Sequence, residues 1–307
     1  MDFAFQMALN PPTQAAAFLT FCVDALLFIS FTKGPTKRKM VKLLPVVFAA
    51  LYATEVTAAS ASAKDPVGPD VLWLPLGDSI TFGCTGPTIQ DCHSDAGGYR
   101  VPLAFALSQP PLGYPTESKP GFNVFTCGTQ TTGPSYVPEQ WLHHEGHPGI
   151  QISGLDAIVQ KAFASCSRAP DLVTILLGTN DCNANVDPEV AMPARMHSLL
   201  SHVQEYAPNA SVFLADVVAT GQPWNTCVQA FNKHVPEIVS AWQANMTITY
   251  TPVYEPALAG TTGVCSSTSF EDGLCGAHEI HPTTAGYPRM ASAFAVSIMK
   301  NYNGSAA

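Results

Sequence analysis

The stretch Val71-Leu72-Trp73-Leu74-Pro75-Leu76-Gly77-Asp78-Ser79-Ile80-Thr81 decides how the rest of the chain is read. A short run without a polar side chain, from Val71 to Leu76, closes on a Gly-Asp-Ser turn and reads as a buried β-strand. A strand that is apolar on both faces needs cover on both faces, which is the habit of parallel sheets. The same kind of run recurs at Asn123–Cys127, Leu172–Leu177, Val212–Val217 and Met246–Tyr250. Between these lie stretches with helical spacing, at Tyr99–Ser108, Ile152–Ser167, Val190–Tyr206, Asn225–Asn245 (despite Pro236) and Thr283–Tyr302. Strands alternating with helices predict an α/β protein, a three-layer α/β/α sandwich on a five-stranded parallel sheet. Such sheets put their sites where strands end, at the carboxyl edge.

Composition agrees with one large folded unit. The chain has 307 residues, 47% hydrophobic and only 12% charged, which excludes intrinsic disorder, because disorder needs low apolar content and high charge. Its net charge is −9, and Lys33, Lys37, Arg38, Lys39 and Lys42 all lie near the N-terminus, so the remainder is more acidic still. No basic cluster survives there to hold a polyanion, and nucleic acid is not an expected partner.

Met40-Val41-Lys42, the apolar run Leu43–Ala53 and Ala61-Ser62-Ala63 form the three parts of a secretory signal. The expected organisation is therefore a targeting region at residues 1–63, with the signal at 40–63 and 1–39 an extension from a start assigned too early, followed by one folded domain at 64–307. The competing reading, a membrane anchor at Ala15–Phe31, must carry Asp24 within a run near the short limit for spanning. Export to an oxidising compartment fits the eight cysteines beyond Ala63. Cys84/Cys92 and Cys265/Cys275 are spaced as small loop staples, and Cys127–Cys166 and Cys182–Cys227 are the further pairs expected among the many that eight cysteines permit. Sequons stand at Asn209, Asn245 and Asn303. The expected product is a secreted, monomeric glycoprotein without a stable membrane partner.

The strand ends carry the functional signal. Gly77-Asp78-Ser79-Ile80-Thr81 follows the first strand, Gly128 the second and Gly178-Thr179-Asn180-Asp181 the third, while His281-Pro282 precedes the last helix. Ser, Gly, Asn and His in that order resemble the blocks of the SGNH (GDSL-type) hydrolase superfamily. Leu74–Thr81, Gly97-Gly98-Tyr99-Arg100, His144-Glu145-Gly146-His147-Pro148-Gly149 and His281-Pro282-x-x-x-Gly286-Tyr287 are similar to carbohydrate esterase family 3, which contains acetyl xylan esterases. The resemblance spans Val71 to Met290 and implies a flavodoxin-like sandwich, Ser79 as nucleophile, His281 as base, and an oxyanion hole from the Ser79 and Gly128 N–H groups with the Asn180 amide. It implies no cofactor and no metal. The chain has no G-x-S-x-G elbow, so the ordinary α/β-hydrolase fold is not expected.

Chemistry agrees with these residue types. A serine at a strand-to-helix turn exposes its hydroxyl where the helix N-terminus favours developing negative charge. It needs a base such as neutral imidazole, and the oxyanion needs fixed donors. Taken singly, Ser79 reads equally as a helix cap, Gly128 as a turn residue and Asn180 as an Asx turn; their conjunction argues for a site. Asp78 and Asp181 read as turn supports. His143, His144 and His147 suggest a metal only weakly, since no carboxylate or cysteine stands at a recognised ligand spacing.

The pattern breaks at one position. The superfamily carries Asp three residues before its catalytic histidine, and here that residue is His278. Histidine cannot supply the charge that orients and stabilises an imidazolium. Glu279 or Asp272 could take the acid's place, a backbone carbonyl could orient His281 in a dyad, neutral His278 could accept the bond, or activity could be lost. The leading expectation is a secreted esterase that removes acetyl or other short acyl groups from a plant cell-wall polysaccharide such as xylan. A lipase or lysophospholipase and a non-catalytic carbohydrate-binding protein are the alternatives. Trp141 and Trp224, in loop-like surroundings, are candidates for stacking on sugar, while Trp73 and Trp242 read as core.

Overall fold

In the computed structural model the first strand, β1 (Asp70–Gly77), is the spine of a sheet that draws in every apolar run named above. The structure describes residues 68–85, 92–93, 95, 97–109, 121–220, 224–254, 280–284 and 286–302. All fall in the second of two units into which the chain divides, Met1–Ser62 and Ala63–Ala307. The remaining strands are β2 (Asn123–Thr126), β3 (Gln130–Thr131), β4 (His143–Gly146), β5 (Leu172–Leu176), β6 (Ser211–Ala215) and β7 (Ile248–Thr251). The helices are α1 (Ser79–Phe82), α2 (Arg100–Ser108), α3 (Ile152–Ala164), α4 (Thr179–Asn183), α5 (Ala191–Tyr206), α6 (Trp224–Trp242) and α7 (Gly286–Asn301).

The five expected strands are present and run parallel in the order β2-β1-β5-β6-β7, the flavodoxin-like order. The expected count of five is corrected upward, because β3 and β4 extend the sheet to seven strands, with β3 antiparallel to β4. His143-His144-Glu145-Gly146 has neither apolar alternation nor β-branched residues, so nothing in its composition marks it as a strand. One flank of β1 is shared: β2 pairs with Asp70–Trp73 and β4 with Leu76–Gly77.

Burial explains the arrangement. Every residue of β5 is buried, as are seven of the eight in β1, because helices cover both faces. α2 packs on α7, and α3 on α5, which also contacts α6. Trp73 is fully buried and its indole N–H donates to Thr174 Oγ1 at 2.9 Å, so a polar tip deep in the sheet is satisfied. Strand β2 is protected at its free edge: the Gln140 amide and Trp141 indole both donate to the Val124 carbonyl, at 3.0 and 3.1 Å. Trp141 thus lies in a 3₁₀ turn packed on the core, and Trp224 begins α6, so neither sits in the loop the sequence suggested. Pro236 lies on the exposed side of α6, where a missing N–H is easiest to tolerate.

Three of the expected disulfides form: Cys84–Cys92, which its spacing suggested, and Cys127–Cys166 and Cys182–Cys227, which spacing could not choose. The expected Cys265–Cys275 pair lies outside the described residues, as do the whole 1–63 region and the Asn303 sequon. Among the described residues no helix is long and apolar enough to cross a membrane.

Candidate active site

The site assembles where β1, β4 and β5 end. Gly77 closes β1 at a position where only glycine fits, since an added Cβ would lie 2.1 Å from Thr81 Oγ1 and 2.6 Å from the Leu176 carbonyl oxygen. The chain then turns at once into α1, with Asp78 as N-cap: its Oδ1 accepts the Ile80 N–H at 2.9 Å. Ser79 is therefore the first residue of a helix, where its own N–H has no intrahelical partner. Gly83, with φ 108°, ends that helix after a single turn.

Ser79 and His281 are 202 positions apart in sequence, yet His281 Nε2 lies 2.7 Å from Ser79 Oγ. Both are nearly inaccessible, at 5% and 7% exposure. A neutral imidazole at that distance can take the hydroxyl proton as the oxygen attacks.

Asn180 follows β5 in α4. Its Nδ2 donates to the Ile150 carbonyl at 2.9 Å and approaches Asp78 Oδ2 at 3.4 Å, which ties it to the turn that carries the nucleophile. One amide hydrogen is thus held firmly, and the other has only a long contact, available for a better acceptor. Gly128 follows β2 with φ 137°, and a Cβ there would fall 2.2 Å from the backbone of His144, so the position demands glycine on both counts. No described residue accepts the Gly128 N–H. An open depression runs from Gly128 along β2, lined by Phe125, Glu139, Gln140, His143 and Arg168, and takes in none of Ser79, Asn180 and His281. His278, Glu279 and Asp272, the positions bearing on the triad acid, lie outside the described residues.

Carboxylates support this geometry. Asp78 is fully buried, and desolvation pushes its carboxyl up to about 7 against the opposing hydrogen bond from Ile80 N–H. Asp181 accepts the Ile152 N–H at 2.9 Å and pairs with Arg195 at 2.7 Å, fastening the loop after β5 to the starts of α3 and α5. Burial raises it as well, with the hydrogen bonds opposing. Asp78 and Asp181 therefore support their turns as their sequence positions suggested.

Two supports escaped the sequence. Arg100 is fully buried and reaches four carbonyls: Thr81 at 2.7 Å, Phe82 at 3.2 Å, Thr132 at 3.1 Å and Leu142 at 3.5 Å. Burial brings its guanidinium down to about 10, which still leaves it charged at neutral pH. It locks α1 to the segments around β3 and β4. The only signal was the Gly97–Arg100 block itself, with no partner to suggest a role. Glu145 and His147 form the second support, a 2.6 Å pair beside the end of β1. His144 is buried as neutral imidazole, with burial and then Arg100 holding it well below its ordinary value. Its Nδ1 accepts from Gly146 N–H, so Nε2 donates to Thr132 Oγ1 at 2.7 Å. It belongs to the scaffold, and among the described residues no group of three His, Cys, Asp or Glu side chains could hold a metal.

Comparison with known proteins agrees with this reading of the fold. A family 3 carbohydrate esterase of Clostridium thermocellum is 22% identical, superposes with a TM-score of 0.57, and matches 75% of this chain against 96% of its own. A family 3 carbohydrate esterase of Talaromyces cellulolyticus is 20% identical with a TM-score of 0.55, over 75% and 97% of the two chains. An acetyl esterase solved with acetate ion is also 20% identical, with a TM-score of 0.52 over 75% and 97%. These likenesses show the SGNH hydrolase fold. No curated protein matches the sequence. Residues 76–289, from the end of β1 into α7, match the GDSL-like lipase/acylhydrolase family, and the chain belongs to that family of esterases.

Proposed function

We propose that the protein is a secreted serine esterase that removes short acyl groups, acetyl foremost, from a plant cell-wall polysaccharide such as xylan. The observation that carries the reading is the 2.7 Å contact between Ser79 Oγ and His281 Nε2 at the carboxyl edge of the sheet. In this mechanism His281 takes the serine proton as Oγ attacks the ester carbonyl, then returns it to the departing sugar hydroxyl, leaving acyl-Ser79. Water repeats the sequence with His281 again as base and frees the acid. The oxyanion that forms twice is met by the N–H groups of Ser79 and Gly128 and by the Asn180 amide hydrogen that otherwise makes the 3.4 Å contact with Asp78. The triad acid is Glu279 or Asp272, or a backbone carbonyl orients His281 without one.

The carbohydrate preference rests on likeness to the two family 3 carbohydrate esterases and to the acetyl esterase. Among the described residues the exposed large apolar side chains are Tyr136, Val190 and Val296, few and far apart in sequence, which gives a lipid-binding surface no support. Export is supported by the signal pattern before Ala63, by three disulfides, and by the exposed sequon residues Asn209 and Asn245.

The test is hydrolysis of p-nitrophenyl acetate and butyrate, and acetate release from acetylated xylan, by the wild-type protein beside Ser79→Ala. Faster turnover of acetate than butyrate, acetate freed from xylan, and loss of all three in Ser79→Ala are expected. Rates rising with acyl length would make it a lipase. Oligosaccharide binding without Ser79-dependent hydrolysis would make it a binding protein that has lost its chemistry.

A further inference from the structure

Gly128 is asked to aim one N–H, yet glycine is the residue least able to fix its own backbone. Its aim must come from its neighbours. On one side Cys127 is anchored twice, by the ladder bond from its N–H to the Trp73 carbonyl at 3.0 Å and by the disulfide to Cys166. On the other side Thr129 is exposed and belongs to no helix or strand.

Thr129 is held instead by Glu145. Glu145 Oε2 accepts the Thr129 N–H at 2.7 Å, and Oε1 accepts the Thr129 hydroxyl at 2.9 Å. Oε1 also faces His147 Nε2 at 2.6 Å, so both carboxylate oxygens are engaged, by three donors in all. The side chain is 1% exposed and stands on β4, where Glu145 is paired with Leu76 and the His147 N–H donates to the Gly77 carbonyl at 3.1 Å. A buried, ionised carboxylate thus links the end of the nucleophile strand to the loop bearing the proposed oxyanion donor. Burial alone would keep it neutral, but the bonds from His147 and Thr129 outweigh that and hold it below the usual carboxylate range. Buried charge costs stability unless paired, so its presence on a site-facing strand asks for a reason beyond packing.

We propose that Glu145 is a positioning residue: by holding the Gly128–Thr129 peptide through the Thr129 N–H it pins the far side of Gly128, so that the preceding Cys127–Gly128 peptide, anchored at Cys127, keeps the Gly128 N–H pointed at the oxyanion, and His147 steadies Glu145 in that task. This rests on the serine-esterase reading above. The arrangement lowers the transition state and leaves ground-state binding almost untouched, since the donor matters most when the carbonyl oxygen becomes charged.

The test uses the full chain with disulfides intact. Glu145→Gln keeps size and one carbonyl oxygen but cannot satisfy three donors. Deleting a whole oxyanion donor costs on the order of 10² to 10³ in turnover, so misaiming one should lower kcat for p-nitrophenyl acetate about 10- to 100-fold. KM should stay within about threefold of wild type, because uniform binding is not removed. Inactivation by a p-nitrophenyl alkylphosphonate, in which Ser79 Oγ displaces p-nitrophenolate through a pentacoordinate transition state that places a charged phosphoryl oxygen where the oxyanion forms, should slow by about the same factor as kcat/KM. It should still run to full stoichiometry, which a partly unfolded variant would not achieve. His147→Ala combined with Thr129→Val removes two of the three donors from accessible positions and serves if Glu145→Gln does not fold; it should lose about 5- to 20-fold in kcat. His147→Gln, which retains a donor toward Glu145, should recover most of the loss seen in His147→Ala.

Wild-type kcat in Glu145→Gln, or in the double variant, together with an inactive Ser79→Ala would overturn this inference and leave the esterase standing. A KM rise at unchanged kcat would do the same. A wild-type protein whose Ser79 takes no phosphonate would overturn the esterase and this inference together.

Discussion

Asp78 ties the stability of the nucleophile turn to pH, and replacing it with Asn isolates the effect. In the folded protein burial disfavours the charged form and pushes its carboxyl from the ordinary 3.8 up to about 7. Between those values the unfolded chain has released the proton and the folded chain still holds it, so stability falls as pH rises. A displacement of about three pH units is worth roughly 4 kcal/mol in total, of which about 2–3 kcal/mol falls between pH 5 and pH 8. Asp181 and Asp216 are also raised by burial and act in the same direction, so the wild-type slope exceeds the share due to Asp78. Asn at position 78 can still accept the Ile80 N–H while carrying no charge, and so leaves the cap in place. Urea denaturation of the oxidised protein at pH 5, 6.5 and 8 should show wild type losing stability across the series and Asp78→Asn losing about 2–3 kcal/mol less. Parallel curves for the two proteins, or a wild type that gains stability toward pH 8, would refute the reasoning.

Asn180→Ala should lower kcat about 10²- to 10³-fold with little change in KM, as steady-state kinetics on p-nitrophenyl acetate would show; a selective rise in KM would mean that it binds substrate instead. Arg100→Lys should cost roughly 2–4 kcal/mol in urea denaturation, because a compact ammonium cannot span carbonyls on separate segments; a loss under about 1 kcal/mol would show that water replaces the guanidinium there. His278→Asp restores the carboxylate the superfamily carries and should raise kcat about tenfold or more; an unchanged rate would mean another group already does that work.

The parallel core was legible because β1, β5 and β6 are almost wholly apolar and β2 and β7 are short runs rich in β-branched and aromatic residues, and the helices because their apolar stripes recur. β4 was hidden by its composition: His143-His144-Glu145-Gly146 is polar, and its side chains are satisfied by partners such as Thr129 and Thr132 that no local pattern connects to it. The single-turn helices α1 and α4 look like loops in sequence, since a helix of four or five residues leaves no periodicity to detect. Ser79 and His281 were legible from their blocks, and the structure brings them together. Arg100 and Glu145 were not assigned roles, because each acts through backbone groups that only the fold places nearby. Spacing marks a short staple such as Cys84–Cys92 and says little about pairs 39 and 45 residues apart, such as Cys127–Cys166 and Cys182–Cys227.

The central claim is that Ser79 carries the acyl group. The direct measurement is peptide mapping by mass spectrometry of the protein quenched during turnover of p-nitrophenyl acetate. The account predicts one acetyl group on the peptide that contains Ser79, absent in Ser79→Ala and lost when the substrate is exhausted. Turnover with Ser79 unmodified, or persisting in Ser79→Ala, would contradict it.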